Sequence, residues 1–137
     1  MRFKEKLIDK NLSDQLKKLY TTVLKAPSDY SVLEIRKLCS KEFAKIFSNV
    51  KFILKGTENL PTESSSIFIY NHLNNHINYS VFDDFQITLD SHFISSIILK
   101  KYYANPGTRV VRCSLQDEVN HFNYYDKFDY VLSLIHI

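Results

Sequence analysis

The apolar residues of this chain change their spacing near residue 50, and that change restricts it to a helical front followed by mixed strands and helices. Over SDQLKKLYTTVLK, from Ser13 to Lys25, the side chains of Leu16, Leu19, Tyr20 and Val23 share one helical face, and Ser13 is placed to cap it. APSDY breaks this helix. A second helix is predicted from Ser31 to about Phe47, with Val32, Ile35, Cys39, Phe43 and Ile46 as its apolar stripe. Arg36, Lys37, Lys41 and Lys45 take its other faces, and Ser31 with Glu34 has the spacing of a capping box. The pair reads as a helical hairpin packed on the rest of the chain, or as a basic face for a membrane surface.

Beyond residue 50 the apolar runs are short. Val50–Leu54, Ser66–Tyr70 and Arg109–Arg112 read as strands, His92–Tyr103 and residues 117–132 as helices. GTENLPTESS is a polar turn region, and residues 73–90 form a long irregular loop. Strands alternating with helices predict an α/β domain with a mostly parallel sheet and flanking helices. The expected organisation is a helical segment over residues 1–49 and a partial α/β domain over 50–132. Residues 133–137 are read as a non-native tail or an apolar helix end.

Charge is unevenly distributed. Residues 1–55 hold 13 Lys/Arg against 6 Asp/Glu (13 − 6 = +7), and residues 56–137 hold 5 against 9 (5 − 9 = −4). A basic front fits an anionic partner or a solvated helical face. Cys39 and Cys113 are far apart and form no CxxC pair, so neither a disulfide framework nor a zinc site is indicated. Reduced thiols fit a cytoplasmic setting. No apolar run approaches the ~20 residues of a membrane span, so contact with a membrane is expected to be peripheral.

Asn71-His72 directly follows SIFIY. Ligands of open α/β sheets gather where strands end. A histidine there has a pKa suited to taking a proton at neutral pH, provided that a carboxylate orients its ring. Asp83, Asp84 and Asp90 follow in the loop. A structural histidine bonded to backbone fits the same pattern.

The order VKFILKGTENLP, SIFIYNH, TLDSHFISS and PGTRVVR resembles the front of the glycerolipid acyltransferase superfamily, the PlsC-like enzymes. Gly56-Thr57-Glu58-Asn59-Leu60-Pro61 matches that family's Gly-x-Glu-Asn-Leu-Pro-like turn, Asn71-His72 its strand-end pair, and Gly107 to Arg112 resembles its later Gly–Arg segment. The resemblance spans roughly residues 50–112. It implies that His72, with an aspartate, deprotonates an acceptor hydroxyl, which then attacks the thioester of acyl-CoA or acyl-carrier protein. The family has an Asp five residues after its His, where this chain has Ile77. An insertion restores the pattern and makes Asp90 the first choice of partner, ahead of Asp83 or Asp84. The resemblance also implies that Arg112, with Arg109 as a second candidate, binds an acceptor phosphate, and that Gly107 and Asn71 contribute to substrate binding. A surface salt bridge is the alternative role for Arg112.

No bound cofactor is expected; the acyl thioester is a substrate. His72 and His76 with a loop Asp have the residue types for a metal-dependent hydrolase, although Asn74, Asn75 and Asn78 disfavour the helix that a His-x3-His site needs. A non-catalytic membrane-surface module is a third reading. Nucleic acid is not expected, because no binding motif accompanies the basic residues. The family's Pro-Glu-Gly-like segment has no counterpart here, so the chain is expected to be an incomplete, poorly soluble and inactive fragment.

Overall fold

The structure is a computed structural model that describes residues 3–48, 50–63, 65–73 and 79–133. Helix α1 runs over Phe3–Leu24 and α2 over Val32–Ile46. Leu16, Leu19, Tyr20 and Val23 are all buried, as are Ile35, Cys39 and Phe43. The expected capping box closes α2: Ser31 Oγ accepts the Glu34 N–H at 3.3 Å, and Glu34 Oε2 accepts the Ser31 N–H at 2.7 Å. Two backbone donors that the helix leaves open are thereby satisfied.

The strands differ from expectation. Among the described residues, 50–54 and 66–70 belong to no ladder. Each docks by one aromatic ring on the helical stretch that follows: Phe52 lies 5.2 Å from Phe93 and Phe68 lies 5.8 Å from Tyr103. Ile67 and Ile69 are left 92% and 94% exposed. A strand needs partners for its backbone groups as well as an alternating pattern, and single-ring docking supplies none.

A hairpin appears inside the stretch read as an irregular loop. Strand β1 (Ser80–Phe82) and β2 (Phe85–Gln86) pair antiparallel across an Asp83-Asp84 turn. Val81, Phe85 and Ile87 go into the core. The helix predicted from His92 begins earlier, as α3 (Leu89–Phe93), passes through a π-helical stretch at Ile94–Leu99, and ends as α4 (Lys100–Tyr103). Its most buried side chains are His92, Ser95 and Ser96, whereas Ile94, Ile97 and Ile98 are half-buried and Tyr102 is exposed. Wider π turns shift the face that a helix presents. Ala104, at φ 53°, then ends the helix.

Strand β3 (Val110–Arg112) lies within the predicted third strand. The predicted helix over 117–132 is instead α5 (Val119–Asp126) followed by β4 (Val131–Ser133), with Asp129 at φ 46° between them. β4 returns parallel to β3, Val110 opposite Val131 and Arg112 opposite Ser133, as a helical crossover requires. The fold is therefore mixed α/β, with helices and, among the described residues, two small two-stranded sheets.

One core joins both halves of the chain. Leu16, Leu19, Tyr20, Val23, Phe43, Tyr124 and Phe128 belong to a single buried cluster with Val81, Phe85 and Ile87. Arg36 ties α2 to the far end of the chain. Its guanidinium donates to the carbonyls of Phe128 and Asp129 at 2.5 and 2.8 Å, and to Thr108 Oγ1 at 2.5 Å. The two carbonyls belong to the turn between α5 and β4, and the bonds satisfy them there.

Candidate active site

His72 and Asp90 are in contact. His72 Nδ1 donates to Asp90 Oδ2 at 2.5 Å, and the Leu73 N–H donates to the same oxygen at 2.7 Å. The other oxygen of Asp90 accepts the Ser91 N–H at 2.6 Å. Asp90 occupies the first turn of α3, where a carboxylate is favoured by the helix dipole. Burial raises its pKa, but the Leu73 and Ser91 amides and His72 outweigh that and hold it below the usual carboxylate value. Its side chain is only 9% exposed, whereas that of His72 is 59% exposed. The carboxylate thus fixes the Nδ1–H tautomer from behind and leaves Nε2 as the nitrogen able to accept a proton. The support comes from the residue 66–73 segment and from α3, not from a paired strand.

The ring borders an open cleft of about 790 Å³, whose walls also include Arg109, Arg112, Glu118, His121 and Tyr125. Asn71 and Gly107 are not among its lining residues. Gly107 adopts φ 77°, its N–H donates to Asn105 Oδ1 at 2.9 Å, and an added Cβ would meet Leu99 Cδ1 at 3.0 Å. It shapes the turn before β3.

Arg112 is engaged. Its two terminal nitrogens donate to the two oxygens of Glu118 at 2.6 and 2.5 Å, a fork-to-fork pair. Hydrogen bonding from Arg112, with the Leu115 amide, holds the Glu118 carboxyl down at about 2 although burial opposes it. The other loop aspartates also have distinct positions. Asp84 caps α5, accepting the Asn120 N–H at 2.9 Å and its side-chain amide at 2.8 Å. Asp83 lies exposed at the cleft wall. His76 lies outside the described residues, and among the described residues no group of three His, Cys, Asp or Glu side chains is placed to hold a metal ion.

Two further histidines stand near the cleft, and sequence reasoning assigned neither. His92 is fully buried; its Nδ1 lies 2.8 Å from the Thr88 carbonyl and its Nε2 lies 2.9 Å from Tyr124 OH. A carbonyl can only accept, so Nδ1 carries the hydrogen, Nε2 accepts from Tyr124, and Tyr124 in turn can accept from the Cys39 thiol at 3.3 Å. Burial pushes the Cys39 thiol up and the His92 imidazole well down, so the chain of three stays neutral. His121 Nδ1 lies 2.7 Å from Ser114 Oγ, and burial together with Arg112 lowers its pKa. Glu118 was equally unassigned; nothing in the spacing of Arg112 and Glu118 marks them as partners across a loop.

No described helix is long and apolar enough to cross a membrane. Comparison with known proteins finds no matching family model, no matching curated protein and no matching solved structure.

Proposed function

We propose that the cleft is an acyltransferase site, with His72 as general base and Asp90 as the group that orients it. The observation that carries this reading is the His72–Asp90 hydrogen bond at the mouth of the cleft, with Asp90 withdrawn from solvent and His72 open to it. In the proposed reaction the acceptor O–H gives its proton to His72 Nε2. The oxygen forms a bond to the thioester carbon, the C–S bond breaks, and the departing thiolate takes the proton back from His72. The donor is acyl-CoA or an acyl-carrier protein, and the acceptor is a glycerol-phosphate-type lipid precursor at or near a membrane surface. Holding base, hydroxyl and thioester together supplies much of the acceleration.

The motif order of residues 50–112 supports the same reading. On it, the parallel β3–β4 pair is part of a mostly parallel sheet. The test is thiol release from acyl-CoA in the presence of sn-glycerol 3-phosphate, run on the full gene product. Activity is expected there. His72→Ala should abolish it and Asp90→Asn should lower it by about 10²–10⁴. Full activity in a folded His72→Ala protein would remove His72 from the reaction.

A further inference from the structure

His72 rides on a strap. Residues 50–63 and 65–73 include no buried side chain, and none of them belongs to the apolar core. Among the described residues no backbone hydrogen bond joins 51–73 to another element. Side chains tie the strap to the helical stretch over residues 89–103. Phe52 meets Phe93 at 5.2 Å. His72 and the Leu73 amide meet Asp90 at the other end of the strap. Between these ties stands Tyr103, which takes hold of the strap twice. Its hydroxyl donates to the Pro61 carbonyl at 2.6 Å, and its ring lies 5.8 Å from that of Phe68.

The spacing of the ties matters. Tyr103 stands 13 residues beyond Asp90 (103 − 90 = 13), roughly 20 Å along a helix axis. Phe68 stands only four residues before His72 (72 − 68 = 4), and four residues reach about 14 Å at most. The chain from Phe68 to His72 is therefore drawn nearly straight, with side chains covering the rest of the distance. A taut connection passes on position: where Phe68 is held decides where His72 can reach. The contact with Asp90 is a weak hold by itself, because the His72 side chain is 59% exposed and water competes for its hydrogen bond.

We propose that Tyr103 is a positioning residue for His72. It clasps the strap at Pro61 and Phe68, and release of the clasp withdraws the imidazole from Asp90. The core beneath stays folded when this happens, since the strap adds nothing to it, and such a segment opens locally. The clasp concerns where the imidazole sits and not what it reacts with, so it stands or falls separately from acyl transfer.

The five histidines can be followed by nitrogen-15 NMR of the labelled protein above their titration range, with His72→Gln assigning the ring in question. His72 should show the Nδ1–H form in the parent, because its tautomer is set by the bond to Asp90. Tyr103→Ala should turn it largely to the Nε2–H form and speed exchange of the Leu73 amide at least about tenfold. Tyr103→Phe keeps the ring and loses the hydroxyl, so it should lie between. Phe68→Ala opens the clasp from the strap side without touching the helix and should act as Tyr103→Ala does, whereas Ile67→Ala, at a side chain 92% exposed, should change neither signal. His92, held by Thr88 and Tyr124, should keep its Nδ1–H signature throughout and so reports an intact core. Parent values for His72 and Leu73 in Phe68→Ala or Tyr103→Ala, an equal effect of Ile67→Ala, or no Nδ1–H form in the parent overturns the proposal. Phe68 lies outside the core, so its variant decides the matter even where Tyr103→Ala disturbs His92.

Discussion

His92 and His121 are histidines whose surroundings oppose a positive charge. Burial acts on both first, and a nearby arginine adds to it: Arg109 at His92, Arg112 at His121. Their folded pKa values lie below the ordinary 6.5, so the unfolded chain binds protons first as pH falls. Stability should therefore be complete above about pH 7 and decline as the pH drops toward 5. Urea midpoints across that range should show the decline, and His92→Gln should flatten it more than His121→Gln, because His92 is the more deeply buried. Equal slopes in the parent and in both variants would show that neither imidazole is responsible. The sequence carries no sign of either environment. His92 reads there as the first residue of a helix, and its contacts come from Thr88 on one side and from Tyr124, across the core, on the other. The His72–Asp90 contact is legible only through the resemblance, whose insertion puts Asp90 first; the residues by themselves leave Asp83, Asp84 and Asp90 open. The Glu118 partner of Arg112 is set by the path of the 113–118 loop, which no local pattern announces.

Helices are more legible than strands. The capping box at Ser31 and Glu34 and the stripe through Ile35, Cys39 and Phe43 are local features, and both are present. Ser31→Ala should lower unfolding free energy by about 1 kcal/mol. The cap of α5 is different in kind, because Asp84 reaches it from the hairpin turn. Asp84→Ala should lower the urea midpoint while Asp83→Ala, one residue away and exposed, leaves it nearly unchanged; equal effects would mean that the turn and not the cap is responsible. Residues 50–54 and 66–70 mislead because alternation shows which side chains suit a sheet but not whether a neighbour is there to pair. The β1–β2 hairpin escapes a sequence reading because its strands are three and two residues long, too short for a period to show. β4 merges into a predicted helix, since Tyr124, Phe128 and Leu132 repeat at a helical interval that Asp129 interrupts only by its backbone angle.

At the scale of the whole molecule, the front helices and the chain beyond residue 79 are thermodynamically one body. Phe43 is fully buried and packs 5.2 Å from His92. Phe43→Ala should cost about 3–5 kcal/mol, and one cooperative transition seen by both far-UV circular dichroism and tyrosine fluorescence should move to lower urea. Two separated transitions would instead divide the core in half.

The hydrogen bond from Tyr20 to Asn120 spans 100 positions of sequence, and this has a consequence in time. A ribosome adds roughly 5–20 residues per second. For about 5–20 s after Tyr20 has been made, Asn120 has not yet been synthesised. The apolar stripes of α1 and α2 can cover one another in that interval, but Tyr20 and Phe43 lack their final neighbours. The nascent protein therefore spends most of its synthesis as a sticky two-helix stub, the state on which a holding chaperone would act.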